Sequence, residues 1–259
     1  SKVYDANTKA TVSATGATFN GMVGGDSLSI SATSATFADK NAGNGKTVAV
    51  SGIALGGLDA GNYNLTSTIG SGTGAITPKA LTITGMSAVS KAYDGNTKAS
   101  VTGGSIDGLV GFETLGVTGL TVTFDDKNAG TGKAVTATGT TLVNGGNGGL
   151  ASNYTMANPT GFTANITPKA LTVSGMTAGT RVYDGTTAAT LAGGSLSGLV
   201  SGESLVLAGG MGVFADKNAA TGKVLTISAT LADGTGLASN YTVNNPTGVT
   251  ADITQATIN

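Results

Sequence analysis

The stretch KAYDGNTKA at residues 91–99 decides the organisation of this chain, because the sequence contains it three times. It occurs as KVYDANTKA at 2–10 and as RVYDGTTAA at 181–189, and its tyrosines stand 89 and 90 residues apart. A cation, a tyrosine and an aspartate recur in the same order. The stretch is therefore either a binding site present three times or a structural element that each repeat needs once.

Three further blocks recur in the same order. FADKNAG, GNYNL and ITPKALT begin at 37, 61 and 76, and their counterparts begin at 124, 152 and 166 and again at 214, 239 and 253. Four landmarks in one order indicate a tandem array of units of about 90 residues. We predict three repeats: 1–78, which lacks a leading strand, 79–168 and 169–259. Since ITPKALT leads directly into the next repeat, no flexible linker is expected.

The local pattern is that of β-strands. LTITGMSAV (81–89) and VLTISATL (224–231) alternate apolar with small or polar residues, and turn-forming Gly, Asn and Asp clusters separate such segments. This predicts an all-β fold of three tandem immunoglobulin-like β-sandwich units in an elongated rod. Strands of ~9 residues at ~3.3 Å each would make the rod about 100 Å long. The alternative is a small mixed β-rich fold with one short helix per unit.

Composition excludes several function classes. The net charge is −1 and only 10% of residues are charged, so a basic surface for nucleic acid or anionic membrane is not expected. The absence of Cys and His removes thiol chemistry and the commonest general base and metal ligand. No apolar run is long enough to predict membrane insertion. We predict no enzyme activity and no cofactor.

The scarce aromatic residues fall mainly in the repeated blocks, which predicts that they anchor the cores. The predicted anchors, with the aspartate after each first tyrosine, are Tyr4, Asp5, Tyr93, Asp94, Tyr183, Asp184, Phe37, Phe124, Phe214, Tyr63, Tyr154 and Tyr241. Each of the three aspartates is expected to close a turn by accepting a backbone N–H two residues on. Ala6 replaces the glycine of the other repeats, so we expect no positive φ at this position.

The DKN segment is a weak candidate for a metal site, because oxygen ligands at alternate positions resemble the start of a calcium loop. The candidate residues are Asp39, Asn41, Asp126, Asn128, Asp216 and Asn218. The positively charged lysine between the aspartate and the asparagine works against a bound metal ion, so a hydrogen-bonded turn is the favoured interpretation. The recurring acids Asp26, Glu113 and Glu203 are interpreted as surface charge.

Carbohydrate binding would need exposed aromatic side chains. Phe19, Phe112 and Phe162 lie outside the repeated blocks. We expect them to pack in cores or hairpins, so a glycan or matrix binding module is an alternative function only.

The blocks (K/R)-x-Y-D-G, ADKNAG, GNY or SNY and ITPKALT resemble the YDG-type repeats of large secreted bacterial adhesins similar to filamentous haemagglutinin. The resemblance covers essentially the whole chain. It implies an extracellular stalk or spacer at a bacterial cell surface, or in a secreted matrix, that takes part in adhesion and biofilm formation.

The first repeat has only Ser1 where the others have eleven residues before the cation, and ATIN (256–259) resembles the start of that missing strand. We expect a piece of a longer array, whose partners are adjacent repeats of the same or a neighbouring chain. The alternative is a self-assembling filament subunit, joined head to tail when a neighbour's strand fills the gap.

Overall fold

The computed structural model describes residues 1–208 and 210–259, and Gly209 only as part of its strand. Repeat 1 contains β1 (Lys2–Val3), β2 (Ser29–Ser31), β3 (Ser34–Phe37), β4 (Gly43–Ser51), β5 (Ala54–Gly56) and β6 (Ile69–Thr77). Repeat 2 contains β7 (Lys79–Val89), β8 (Lys91–Ala92), β9 (Ser100–Asp107), β10 (Leu115–Thr118), β11 (Thr121–Phe124), β12 (Gly130–Thr138), β13 (Thr141–Asn144), β14 (Tyr154–Met156) and β15 (Phe162–Thr167). Repeat 3 contains β16 (Lys169–Ala178), β17 (Arg181–Val182), β18 (Ala188–Ala189), β19 (Leu191–Ser197), β20 (Leu205–Phe214), β21 (Ala220–Asp233), β22 (Tyr241–Asn244) and β23 (Thr250–Thr254).

The prediction of an all-β fold is confirmed. Across the described residues the helical elements are three 3-10 turns, one per repeat, at Ala60–Asn62, Ala151–Asn153 and Ala238–Asn240. Each turn lies directly before or within the NY block. No helix in this part of the chain is long and apolar enough to cross a membrane.

Each repeat builds one sheet that contains the short strand of its first block, which is β1, β8 or β17. We call this sheet the body sheet, and we call that short strand the cation strand because it carries Lys2, Lys91 or Arg181. The strand orders are β1-β6-β4-β3, β8-β15-β12-β11 and β17-β23-β21-β20-β18. In all three sheets the cation strand pairs in parallel with the last strand of its own repeat, which is β6, β15 or β23. That last strand also pairs antiparallel with the strand that follows the DKN segment. The body sheet thus fixes the first block beside the last.

Repeats 2 and 3 also build a leading sheet around the long strand that follows the ITP motif. β7 lies between β14 and β9, and β16 lies between β22 and β19. Lys79 is paired in parallel with Tyr154, and Lys169 with Tyr241. The strand that enters each repeat is therefore held by the NY segment of that same repeat.

The first hydrophobic core is shared between two consecutive repeats. Tyr4, Phe37 and Ile76 come from repeat 1, and Leu81 and Tyr154 come from the leading sheet of repeat 2. All five side chains are at most 4% exposed. The body sheet of repeat 1 therefore buries its apolar face against the leading sheet of repeat 2.

The second core repeats this arrangement one repeat later. Tyr93, Phe124 and Ile166 come from repeat 2, and Leu171 and Tyr241 from repeat 3. A third, smaller core forms within repeat 3 around Phe214, Leu225, Ile227, Ala251 and Ile253.

Because the cores are shared, the compact units do not follow the sequence repeats. One unit comprises residues 1–86, 103–121 and 137–159, and the other comprises 87–102, 122–136 and 160–259. The boundaries 1–78, 79–168 and 169–259 describe the repeating sequence and stay a prediction.

The expectation of an ordinary backbone at Ala6 is wrong. Its φ is 63°, and the equivalent Gly95 and Gly185 have φ of 79° and 82°. The physical reason is that both neighbouring residues are held: the Asp5 carboxylate accepts the Asn7 N–H at 3.2 Å, and Lys2 Nζ donates to the Asn7 carbonyl at 2.7 Å. The turn therefore imposes a left-handed residue whether or not it is glycine.

This geometry predicts different costs for one substitution at two positions. A Cβ on Gly95 would lie 2.7 Å from Val200 Cγ1, whereas a Cβ on Gly185 would meet nothing within 4 Å. We expect Gly185→Ala to lower the free energy of unfolding by about 1 kcal/mol through backbone strain alone, and Gly95→Ala by about 2 kcal/mol or more. Urea unfolding followed by circular dichroism measures both; equal costs would contradict the predicted clash.

Candidate functional site

The cation of the first block is satisfied within its own repeat. Lys2 Nζ donates to Asp5 Oδ1 at 2.6 Å and to Asn7 Oδ1 at 2.8 Å, and it lies 6.0 Å from the centre of the Phe37 ring. Lys91 and Arg181 have equivalent partners. The first block and the FADKNAG block thus meet through a cation and an aromatic ring. The cation and the aspartate of each first block are therefore bonded to each other, which leaves neither of them free to bind a ligand.

The carboxylate of the first block also closes its turn. Asp94 Oδ1 accepts the Asn96 N–H at 3.2 Å, and Asp184 Oδ1 accepts the Thr186 N–H at 2.8 Å. Desolvation acts to raise the pKa of Asp94, but the hydrogen bond from Lys91 and the Asn96 N–H outweigh it and lower the pKa. These acids therefore stay ionised as part of the turn.

The weak metal candidates occupy a second turn of the same kind. Asp39 Oδ1 accepts the Asn41 N–H at 2.8 Å and the Lys46 ammonium at 2.7 Å. Lysines 133 and 223 are bonded in the same way to the equivalent aspartates, 126 and 216. A lysine therefore lies where a cation would need to bind. The described residues contain no group of three or more His, Cys, Asp or Glu side chains that could hold a metal ion.

The most unusual site is an acid held between two tyrosines, which we name the tyrosine–acid clamp. In the first clamp, the Tyr4 hydroxyl donates to Glu113 Oε1 and the Tyr154 hydroxyl donates to Glu113 Oε2, both at 2.6 Å. The two rings stand edge to face with centroids 5.3 Å apart. The Val110 N–H donates to the Tyr154 hydroxyl at 3.0 Å, which orients that phenol. Glu113 is only 7% exposed, so the clamp lies inside the shared core.

The second clamp has the same geometry one repeat later. Tyr93 and Tyr241 donate to the two oxygens of Glu203 at 2.6 and 2.7 Å, and their rings are again 5.3 Å apart. Lys127 Nζ lies 3.2 Å from Glu203, as Lys40 lies 3.6 Å from Glu113. In each clamp one tyrosine comes from the preceding repeat, and the acid and the second tyrosine come from the following one.

The hydrogen bonds determine the ionisation of the clamp. Desolvation acts to raise the pKa of Glu113, but the hydrogen bonds from Tyr154 and Tyr4 and the charge of Lys40 outweigh it and lower the pKa. Burial and the bond to Glu113 raise the pKa of Tyr154 to about 12. The acid is therefore an anion and the phenols are neutral donors over the physiological pH range.

The raised pKa values predict the alkaline limit of stability. Tyr154 and Tyr241 have a pKa of about 12 in the folded chain against an ordinary value of 10.0. Because the folded value is higher, their stabilisation is complete below pH 10 and is lost as pH rises through about 12. In a tyrosinate absorbance titration we expect Tyr154→Phe and Tyr241→Phe to remove amplitude near pH 12. Unchanged amplitude in both variants would contradict this.

A buried amide joins the same repeats beside each clamp. Asn153 is fully buried, its Oδ1 accepts the Ala42 N–H at 2.8 Å, and its Nδ2 donates to Asn41 Oδ1 at 3.1 Å. Asn240 makes the equivalent bonds to Ala129 and Asn128. The asparagine of the DKN segment is therefore a partner of the following repeat.

Two predicted anchors lack the full clamp. Tyr63 donates to Asp26, and its hydroxyl accepts the Val23 N–H at 3.0 Å, but no second phenol reaches this acid among the described residues. Tyr183 is 37% exposed, whereas Tyr4 and Tyr93 are 1% exposed. The prediction that Tyr183 anchors a core is wrong, because its side chain is partly exposed and belongs to none of the three core clusters of the described residues.

The interpretation of the recurring acids as surface charge is also wrong for Glu113, which is buried, and Glu203 makes the same contacts. The available signal was their fixed position after Gly-Leu-Val in repeats 2 and 3, together with a tyrosine in every NY block. The unassigned phenylalanines differ from one another. Phe162 packs against the second core, whereas Phe112 is 91% exposed, so the expectation of packing is wrong for Phe112.

The YDG domain family matches residues 1–70, 77–161 and 167–249, which together are most of the chain. No curated protein and no solved structure matches it. The matched ranges start within two residues of the three predicted repeats. Each contains the tyrosine-aspartate block and the NY block that build the clamps. The chain therefore belongs to the YDG domain family.

Proposed function

We propose that this chain is an extracellular structural spacer, part of a bacterial surface adhesin or matrix protein, and that it carries no catalytic activity. The observation that supports it is the shared core: a body sheet, a leading sheet and a tyrosine–acid clamp join the ends of two consecutive repeats. Two parts joined by a common core cannot turn freely about a linker. Such a joint suits a segment that holds a distal binding domain away from a surface.

The charge distribution also favours a structural role. The strongly bound carboxylates, Asp5, Asp39 and Glu113, are all engaged by cations or phenols of the chain itself. The net charge of −1 offers no attraction for a polyanion. The interactions of the polar residues are thus directed within the array.

Small-angle X-ray scattering tests the spacer function. A compact chain of this length would have a radius of gyration of about 18 Å. A spacer of about 100 Å has a value near 30 Å by the geometry of a thin rod. A radius close to 18 Å would overturn the proposal. A chain of equal length with Gly/Ser composition is the control for mere flexibility, because it gives a large radius without the scattering profile of a rod.

Glycan or matrix binding is a second candidate, supported by one observation. Phe112 is 91% exposed at a turn and offers an aromatic face to a sugar ring. The equivalent positions are Gly25 and Gly202, so this surface is not repeated three times. Binding to a glycan array that is lost in Phe112→Ala would support this function, and an array without signal would remove it.

A further inference from the structure

The cation strand and the last strand of every repeat lie side by side and run in the same direction. In repeat 2, Lys91 is paired with Ile166 and Ala92 with Thr167, and the equivalent pairs in repeats 1 and 3 are β1–β6 and β17–β23. We call each of these a first–last pair. The other strand pairs in the body sheets of repeats 1 and 3 are antiparallel. The parallel direction is therefore particular to the contact between the two ends of a repeat.

The same bonds hold the first–last pair in each repeat. The Tyr93 N–H donates to the Thr167 carbonyl at 2.8 Å, and the Thr167 hydroxyl donates to the Lys91 carbonyl at 3.4 Å. Thr77 and Thr254 make both bonds with the equivalent residues of repeats 1 and 3. The threonine of the ITP motif, or of its counterpart ITQ, thus fastens the last strand to the first.

The first–last pair of repeat 2 is also fixed on both sides. Ahead of it, the Asn165 N–H donates to Ser90 Oγ at 2.9 Å. Directly after it, Tyr93 is 1% exposed and donates its hydroxyl to Glu203 at 2.6 Å. The cation strand therefore cannot slide along its partner without breaking these bonds and drawing a tyrosine out of the second core.

The direction of the strands decides how the pair responds to tension along the chain. The chain enters the pair ahead of Lys91 and leaves it after Thr167, and in a parallel pair these two points lie at opposite ends. Tension slides the strands past each other, so the bonds are loaded together and must break together. In an antiparallel pair the two points would lie at one end, and the bonds would break one after another.

The leading strands of repeats 2 and 3 are held in the same direction. β7 pairs in parallel with β14, and β16 with β22, and both partners lie near the end of the same repeat. Tension that enters repeat 2 at Lys79 therefore also acts along the strands of a parallel pair. The load reaches the last part of the repeat through two contacts of this kind.

The two strands of a first–last pair are far apart in the sequence. The bonded threonine and cation residues are separated by 75, 76 and 73 residues in repeats 1, 2 and 3. While the pair is intact, tension passes from the first strand to the last, and the residues between them are not stretched. The DKN turn and the NY segment both lie within this unloaded part.

We propose that each first–last pair carries tension along the chain and shields the residues between its strands until it ruptures. Rupture in repeat 2 frees 76 residues, which at ~3.3–3.6 Å each add about 250 Å of extended chain. This function goes beyond that of a spacer, because a spacer needs stiffness at rest, whereas the first–last pair acts under load.

Pulling the full chain in optical tweezers along two directions tests the proposal. The chain has no cysteine, so handles attach only at introduced ones. Val89→Cys with Pro168→Cys loads the pair along its strands. Val89→Cys with Thr163→Cys pulls across the same end of the pair, because Thr163 lies within one residue of the position opposite Val89. We expect the first arrangement to extend in one step of about 250 Å, at about twice the force of the second or more.

Equal forces in the two directions would overturn the proposal, and so would gradual extension along the strands. The two arrangements enclose nearly the same residues, so a difference in force reports the direction of loading and not the size of the unfolded part. A chain with a radius of gyration of about 30 Å that unfolds at equal forces would keep the spacer function and lose this one. The two failures can therefore be told apart.

Side-chain variants provide a second measurement. Ser90→Ala with Thr167→Val removes two bonds of the first–last pair, whereas the control Thr141→Val removes a hydroxyl bond to the Gly139 carbonyl in the shielded part of the same repeat. At constant force we expect the double variant to unfold about tenfold faster and the control to unfold as the unaltered chain does. Urea unfolding without force establishes that both variants fold. Equal acceleration in both would overturn the proposal.

Discussion

Replacement of Glu113 by alanine should lower the free energy of unfolding of its compact unit by about 3–5 kcal/mol. The carboxylate accepts two charge-assisted hydrogen bonds, from Tyr4 and Tyr154, both at 2.6 Å. Its removal leaves two phenol hydroxyls in the core without their acceptor and opens a cavity between the rings. Urea unfolding followed by tyrosine fluorescence measures the loss, since the chain has no tryptophan.

Asp26→Ala is the matched control for this experiment. Asp26 stands at the equivalent position of repeat 1, but it accepts one phenol instead of two and is only partly buried. We expect a cost of about 1 kcal/mol there. Similar losses in the two variants would show that the second phenol of the clamp contributes nothing, and would contradict the role given to the shared core.

Replacement of Leu171 by alanine should cost about 2–5 kcal/mol. Leu171 is fully buried in the second core, where side chains of repeats 2 and 3 meet. Removing its methyl groups therefore opens a cavity in the core that repeats 2 and 3 share. The ITPKALT block that contains Leu171 is thus part of a core as well as the connection between the two repeats. Thermal unfolding and urea unfolding both report the change.

Ile258→Ala is the control at the equivalent position of the last closing block. Its side chain is 93% exposed, so we expect a change within about 0.5 kcal/mol. A large loss from Ile258→Ala would mean that residues 256–259 pack against other residues in solution. A negligible loss from Leu171→Ala would contradict the shared core.

Much of the local structure could be predicted from the sequence. Period-two alternation and turn-forming residues are local properties, so the all-β fold, the three repeats and the strands around ITPKALT could be read directly. Asp94 followed by Asn96 two residues on likewise encodes a turn within a few residues. The cation beside it needs only its own repeat to find a partner.

The backbone conformation of Ala6 could not be predicted from the preference of the residue itself. An alanine in place of a glycine suggests a relaxed backbone, yet φ is 63° because Lys2, Asp5 and Asn7 hold the turn through their own bonds. The conformation is determined by a hydrogen-bond network and not by the preference of one residue.

The pairing of repeats could not be predicted either. A leading strand such as β7 has the same alternating pattern whether its apolar face covers the repeat before it or the repeat after it. Glu113 likewise has the sequence context of a surface acid, because its phenol partners lie 109 and 41 residues away. Only packing brings these groups together.

The sequence by itself determined the strands, the turns and the period of the array, since these depend on residues close together in the chain. The tertiary structure decided that the first and second cores each belong to two repeats and that an ionised glutamate, Glu113, lies inside the first. The reason is that burial of one sheet face needs a second sheet. Here, in the first two cores, the second sheet comes from the following repeat.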